Sequence, residues 1–203
     1  MSQLARYAAL EGIGPTVTTG EAATALGMSL SSASRLLSRL EGEGRVYRLR
    51  RGLWSVGSRR PDALAVVGDL TRPYPSYVSF LSALNHHGII DQLPRDIEVA
   101  SLDRARSIVT GAATYAIHHL PPHLFAGWTM TVRGPVAVPE KALFDSCYIA
   151  AARSGRPRRI PELELPVDFE WKRCELWIER IESARLRTLT TRGLAYARKR
   201  AIR

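Results

Sequence analysis

The sequence predicts an α+β protein in two parts: a helical N-terminal segment closed by a basic hairpin, then a small mixed α+β segment. Three observations carry this expectation. Over residues 1–57 the apolar positions recur at helical spacing and then switch to strict alternation. Between residues 58 and 75 the chain turns to Ser58-Arg59-Arg60-Pro61 and Arg72-Pro73-Tyr74-Pro75, which is stiff, polar punctuation. Beyond residue 76, short alternating runs are interleaved with helical ones. The 203 residues suit two small domains. The expected division is 1–60, a connecting segment 61–75, and a second domain 76–203.

Leu4, Tyr7, Ala8 and Leu10 place a first amphipathic helix before the breaker Gly12-Ile13-Gly14-Pro15. Thr18 and Glu21 stand at capping-box spacing and open a second helix through Ala22, Ala23 and Leu26, ended by Gly27. Ser29 is the expected N-cap of a third helix, with Leu30, Ala33, Leu36, Leu37 and Leu40 as its buried face. Gly42 and Gly44 end it. Val46 to Val56 alternates on both sides of Arg51-Gly52, the pattern of a β-hairpin.

Two short helices joined through a glycine turn make a helix-turn-helix, and the hairpin behind them makes it winged. The polar face of the third helix presents Ser31, Ser32, Ser34, Arg35, Ser38 and Arg39. Small hydroxyls let a helix lie close to DNA, and arginine forks onto phosphate or guanine. Arg48, Arg50 and Arg51 on the hairpin would reach the backbone or the minor groove. The bland alternative is a three-helix bundle used for protein contacts.

Charge agrees with a polyanion partner. The chain has 29 Lys and Arg against 19 Asp and Glu, a formal +10. Residues 1–60 hold 9 basic and 4 acidic side chains, residues 61–150 hold 6 and 8, and residues 151–203 hold 14 and 7. Such segregation concentrates a positive field at the two ends. Within the tail, Arg153, Arg156, Arg158 and Arg159 form one group and Arg185, Arg187, Arg192, Arg198, Lys199, Arg200 and Arg203 another. Arg187, Arg192, Arg198, Lys199 and Arg200 are candidates for a second DNA or partner surface, against the plain reading of a solvated helix face.

In the second part, a short helix is expected over 62–70 and another over 76–88, with Ser79 as N-cap and Gly88 as terminator. Strands are expected at 97–100, 114–118, 128–132 and 136–138. Pro139 then starts a helix, its missing N–H being unneeded in a first turn, and Glu140 lies favourably at the positive end of the helix dipole. Helices over about 169–183 and 187–200 complete the chain.

The basic segment ending Arg51-Gly52-Leu53-Trp54 resembles the bacterial AbiEi-type antitoxins. So do Y-V-S-F-L-S-A-L-N-H-H-G-I-I (77–90) and V-A-V-P-E-K-A-L-F-D (136–145). The resemblance implies a winged-helix repressor of its own operon, which binds inverted repeats, and a C-terminal domain that counters a nucleotidyltransferase toxin. Ser79, Ser82, Gly88, Pro139, Glu140, Lys141 and Asp145 carry the likeness. Capping, helix packing and a Glu140–Lys141–Asp145 polar cluster account for most of them without a catalytic duty.

No enzyme is legible. His86-His87, His118-His119 and His123 lack partners at metal-ligand spacing, since adjacent histidines diverge on helix or strand. A cation-gripping nuclease would want Glu-x-Lys on a strand, whereas Glu140 and Lys141 are adjacent and helical. Walker loop, dinucleotide fingerprint and nucleophile elbow are all lacking. No metal or cofactor is expected. Two cysteines, Cys147 and Cys174, give no disulfide framework. No signal peptide or membrane span is visible, so a bacterial cytoplasmic location is expected. The expected function, as the resemblance implies, is an autorepressing antitoxin with operator DNA and a nucleotidyltransferase toxin as partners, a monomer or weak dimer. A ligand-sensing winged-helix regulator without a toxin is the alternative.

Overall fold

The computed structural model describes residues 2–154 and 160–202. It is a mixed α+β structure with eight α-helices among the described residues. The first is α1 (Gln3–Glu11), capped by the Ser2 hydroxyl. A short strand β1 (Thr16–Thr18) leads into α2 (Thr19–Ala25). The capping box is complete: the Glu21 amide donates to Thr18 Oγ1 at 3.1 Å, and the Thr18 amide to the Glu21 carboxylate at 2.7 Å. Next comes α3 (Leu30–Gly42), capped by Ser29, and then the hairpin β2 (Val46–Arg50) and β3 (Leu53–Val56). Strand β3 is central, paired antiparallel with β1 and β2. The strand at 16–18 was not expected: three residues show no periodicity, and only pairing with β3 defines them.

Tyr7, Leu10, Val17, Ala22, Ala33, Leu36, Leu37, Leu40, Val46 and Trp54 close one hydrophobic cluster. Leu30, expected on the buried face, is instead 61% exposed as the first residue of α3. The hairpin has a second face. Leu49 and Leu53 belong to the larger cluster formed by residues 49–197, together with Leu64, Val66, Val67 and Leu70.

Those last four come from the stretch expected to be a connection. The helix expected over 62–70 is only its final turn, α4 (Val67–Leu70), since the Asp62 carboxylate accepts from the Leu64 amide and holds a turn there. Thr16 donates to Asp69 at 2.7 Å, and Arg72 pairs with Asp69 at 2.6 Å. The segment is thereby tied to β1.

A six-stranded sheet forms the rest of the core. Its strands are β4 (Ser76–Val78), β5 (Ile97–Ser101), β6 (Arg106–Val109), β7 (Thr114–His119), β8 (Trp128–Thr131) and β9 (Gly134–Ala137), in the order β6-β7-β5-β4-β9-β8. The pairs β4–β9 and β5–β7 are parallel and the others antiparallel. Residues 76–78, expected at the head of a helix, are this central strand. The helix α5 (Phe80–His86) begins only after it. Gly88, at φ +68°, ends α5 in a Schellman arrangement, with the Ile89 amide bonded to the Leu84 carbonyl.

Pro139 opens α6 (Pro139–Ser154), which packs against α5 and the two last helices, α7 (Trp171–Glu179) and α8 (Ala184–Lys199). Gly193 permits the close approach of α8 to α6, because a Cβ there would lie 3.3 Å from both Cβ and Sγ of Cys147. A small parallel pair, β10 (Leu163–Glu164) and β11 (Ala201–Ile202), closes the C-terminus.

Candidate nucleic-acid interface

Ala33, Leu36, Leu37 and Leu40 anchor α3 on its inner side, which fixes what points outward. Ser31, Ser34, Arg35, Ser38 and Arg39 are exposed, and Ser32 is half-buried. At the start of the helix the Ser29 hydroxyl accepts from the Ser32 amide at 3.2 Å and lies within 3.0 Å of the Ser31 and Ser32 hydroxyls. The face is therefore a run of small hydroxyls ending in two guanidiniums. Among the described residues, no carboxylate pairs with Arg35 or Arg39. That leaves both free to meet an anion.

The three hairpin arginines differ. Arg51 is exposed in the turn beside Gly52, whose φ of +76° a side chain would resist. Arg48 is exposed, but its guanidinium lies 5.6 Å from the Trp54 ring centroid. Arg50 is half-buried, with its Nε shielded from solvent and without a hydrogen-bond partner. The structure brings the α3 face and the hairpin into one N-terminal unit through Val46 and Trp54, which share a cluster with Leu36, Leu37 and Leu40.

The five tail cations also separate. Arg187 is exposed but its guanidinium is engaged, Nε and Nη2 donating to the Ile181 carbonyl at 3.2 and 2.7 Å. It thus closes the end of α7. Arg198 lies over Trp171 at 5.5 Å, and Arg200 over Tyr196 at 5.9 Å. Arg192, Arg198, Lys199 and Arg200 are exposed. Arg156, Arg158, Arg159 and Arg203 lie outside the described residues.

The seven residues of the two middle blocks divide into a buried centre and supports. Lys141 and Asp145, one turn apart on α6, are both fully buried and form an ion pair. Asp145 also accepts from the Ser79 hydroxyl at 2.7 Å and the Tyr77 phenol at 3.1 Å. Tyr77, Phe144 and Trp177 surround the ammonium, with ring centroids 5.1–5.8 Å away. Burial pulls the Lys141 ammonium below the usual lysine range, although Asp145 opposes it. The same burial pushes Asp145 up against the donors it accepts.

Glu140 stands apart from that pair, contrary to the expected three-residue cluster. Adjacent residues on a helix diverge, and Glu140 accepts from the Glu170 amide at 3.1 Å just before α7. Ser79 occupies the N-cap position of α5 without capping it, because its hydroxyl is committed to Asp145. The Glu98 carboxylate takes over, accepting from the Leu81 amide at 2.9 Å. Between them sits Phe80, buried, at φ +56°. Ser82 accepts from the Glu98 amide at 2.9 Å.

Tyr77, Trp177, Glu98 and Gly127 were missed by sequence reasoning. A Cβ on Gly127 would lie 2.5 Å from the Trp177 ring and 3.0 Å from Lys141 Cγ. No local pattern signals these residues, since each acts through a partner remote in sequence. The histidines serve locally. His87 Nε2 donates to the Ala137 carbonyl at 2.7 Å, and His118 lies between Phe80, at 4.6 Å between centroids, and Glu98, at 3.8 Å.

The N-terminal unit thus sets an exposed serine–arginine helix face beside a basic hairpin. Residues 5–57 match the family model described as "Transcriptional regulator, AbiEi antitoxin". The match runs from α1 to the end of the hairpin, so the resemblance noted for this segment stands. The blocks at 77–90 and 136–145 lie beyond it. No curated protein matches the chain. No described helix is long and apolar enough to cross a membrane.

Proposed function

We propose that the chain is the autorepressing antitoxin of a toxin–antitoxin operon. Residues 1–60 form a winged helix-turn-helix in which α2 and α3 are the two helices, α3 enters the major groove and the β2–β3 hairpin is the wing. Ser31, Ser34, Arg35, Ser38 and Arg39 face the duplex, with Ser32 at the helix start. Arg48, Arg50 and Arg51 lie along its backbone. A monomer or weak dimer occupies each inverted repeat in the promoter. Residues 76–203 form the second domain, joined through 61–75, and counter a nucleotidyltransferase toxin in the bacterial cytoplasm.

The observation that carries this reading is the unpaired Arg35–Arg39 face of α3, within the segment that matches an antitoxin regulator. Most of its affinity would come from phosphate neutralisation and would fall steeply with salt. The test is a mobility-shift titration of the full chain against its own upstream DNA and an unrelated duplex of equal length, at two salt concentrations. The upstream DNA should win by two orders of magnitude or more, on the order of specific over non-specific ratios. Equal binding to both would reduce the interface to a generic polyanion surface. The antitoxin half is tested by co-expression with the neighbouring operon gene, whose toxicity this chain should abolish.

A further inference from the structure

The C-terminal region carries a groove, lined about equally by polar and apolar surface in its main hollow, that neither the sheet nor the N-terminal unit uses. Its main hollow, about 310 Å³, is walled by Leu165, Val167, Phe169, Trp171 and Ala201, with Arg198 as the one charged lining residue. A second hollow of about 150 Å³ continues between α7 and α8, over Cys174, Ile178 and Leu194. Trp171 and Arg198 line both hollows and form the partition between them. Val167 on the rim is fully exposed, and Leu176 on α7, Tyr196 on α8 and Ile202 on β11 are exposed as well. Among the described residues, no carboxylate lies within ion-pair distance of Arg192, Arg198, Lys199 or Arg200. The nearby acids are Asp168, Glu170 and Glu175; Glu175 lines the second hollow, Glu170 is paired with Arg173 at 3.2 Å, and the four cations outnumber the three carboxylates.

We infer that this groove docks an extended acidic and apolar segment of the protein that the chain neutralises. Apolar side chains of that segment fill the two hollows. A carboxylate between them forks onto Arg198, with Lys199 and Arg200 beside it. Aromatic and arginine side chains at a partly desolvated apolar centre are the usual anchors of protein interfaces. Charge complementarity selects an acidic occupant. A nucleic-acid backbone would satisfy the cations but offers nothing apolar to fill hollows walled by Leu165, Val167 and Phe169. The inference rests on the antitoxin reading and names the surface that serves it.

The experiment uses the full chain, co-expressed with the toxin gene of its operon, with operator mobility shifts run in parallel. Val167→Asp puts a charge in the groove without removing a cation or a buried side chain, and Arg198→Glu reverses the anchor. Each should cut rescue, read as surviving colonies, about tenfold or more. Thermal midpoints should stay at the wild-type value, and Val167→Asp should leave operator affinity within about twofold. Full rescue by both variants overturns the groove and leaves the antitoxin reading intact. Loss of operator binding by Val167→Asp, with rescue retained, assigns the groove to DNA and overturns the inference. A wild-type chain that fails to rescue overturns the antitoxin reading itself, and the inference with it.

Discussion

At the scale of single residues, Lys141 and Asp145 show what a buried ion pair requires. Neither charge can be left alone in an apolar enclosure, and Ser79 and Tyr77 supply the donors that complete the carboxylate. Lys141→Met strands Asp145 and should cost roughly 3–5 kcal/mol in urea unfolding at neutral pH. The double variant Lys141→Met with Asp145→Leu should recover most of that loss. A double variant as unstable as the single would show that the surrounding cage, not the pair, sets the cost. Gly127 is the second such residue. At φ +75° and against Trp177, an alanine is both strained and crowded, so Gly127→Ala should destabilise by about 1–3 kcal/mol. The sequence showed Lys141 and Asp145 only as members of a Glu140–Lys141–Asp145 polar cluster. It did not show Tyr77 or Gly127, because their roles depend on chain segments 68 and 14 residues away from Asp145 and Lys141.

At the scale of elements, legibility followed the reach of the signal. α2 and α3 were readable because their caps and periodic faces lie within a dozen residues: Thr18 with Glu21, Ser29 with Ser32, and the leucines of α3. The hairpin was readable from Arg51-Gly52. β1 and β6 were not, since an edge strand of three or four residues is defined by its neighbour's hydrogen bonds. Residues 76–78 looked helical through continuity with α5, and only pairing with remote segments, antiparallel with β5 and parallel with β9, makes them a strand. For α3 the consequence is functional. Arg35→Ala and Arg39→Ala alter exposed residues, so each should leave the unfolding midpoint within about 0.5 kcal/mol. Where the removed arginine contacts a phosphate, the slope of log affinity against log salt should fall by about one. Toxin rescue should persist in both variants, and equal loss of rescue and operator binding would argue against separable surfaces.

At the scale of the whole molecule, the hairpin joins what the sequence suggested were separate parts. One of its faces gives Val46 and Trp54 to the cluster under α3, and the other gives Leu49 and Leu53 to the cluster over α4. Thr16 to Asp69, and Arg72 to Glu21, bridge the same junction. Sequence patterning could not reveal this, because alternation in a hairpin shows two faces but not what covers each. A hairpin held from both sides cannot lose one core without losing its own support. The full chain should therefore unfold in a single transition, with Trp fluorescence, to which Trp54 in the N-terminal unit contributes, coincident with far-UV circular dichroism. Leu53→Ala removes a fully buried side chain at the joint and should cost about 2–5 kcal/mol. It should also weaken operator binding without touching DNA, because it loosens the strand that carries the turn arginine. Two resolved transitions in the wild-type chain, or a Leu53→Ala variant with unchanged operator affinity, would mean that the N-terminal unit stands independently of the sheet behind it.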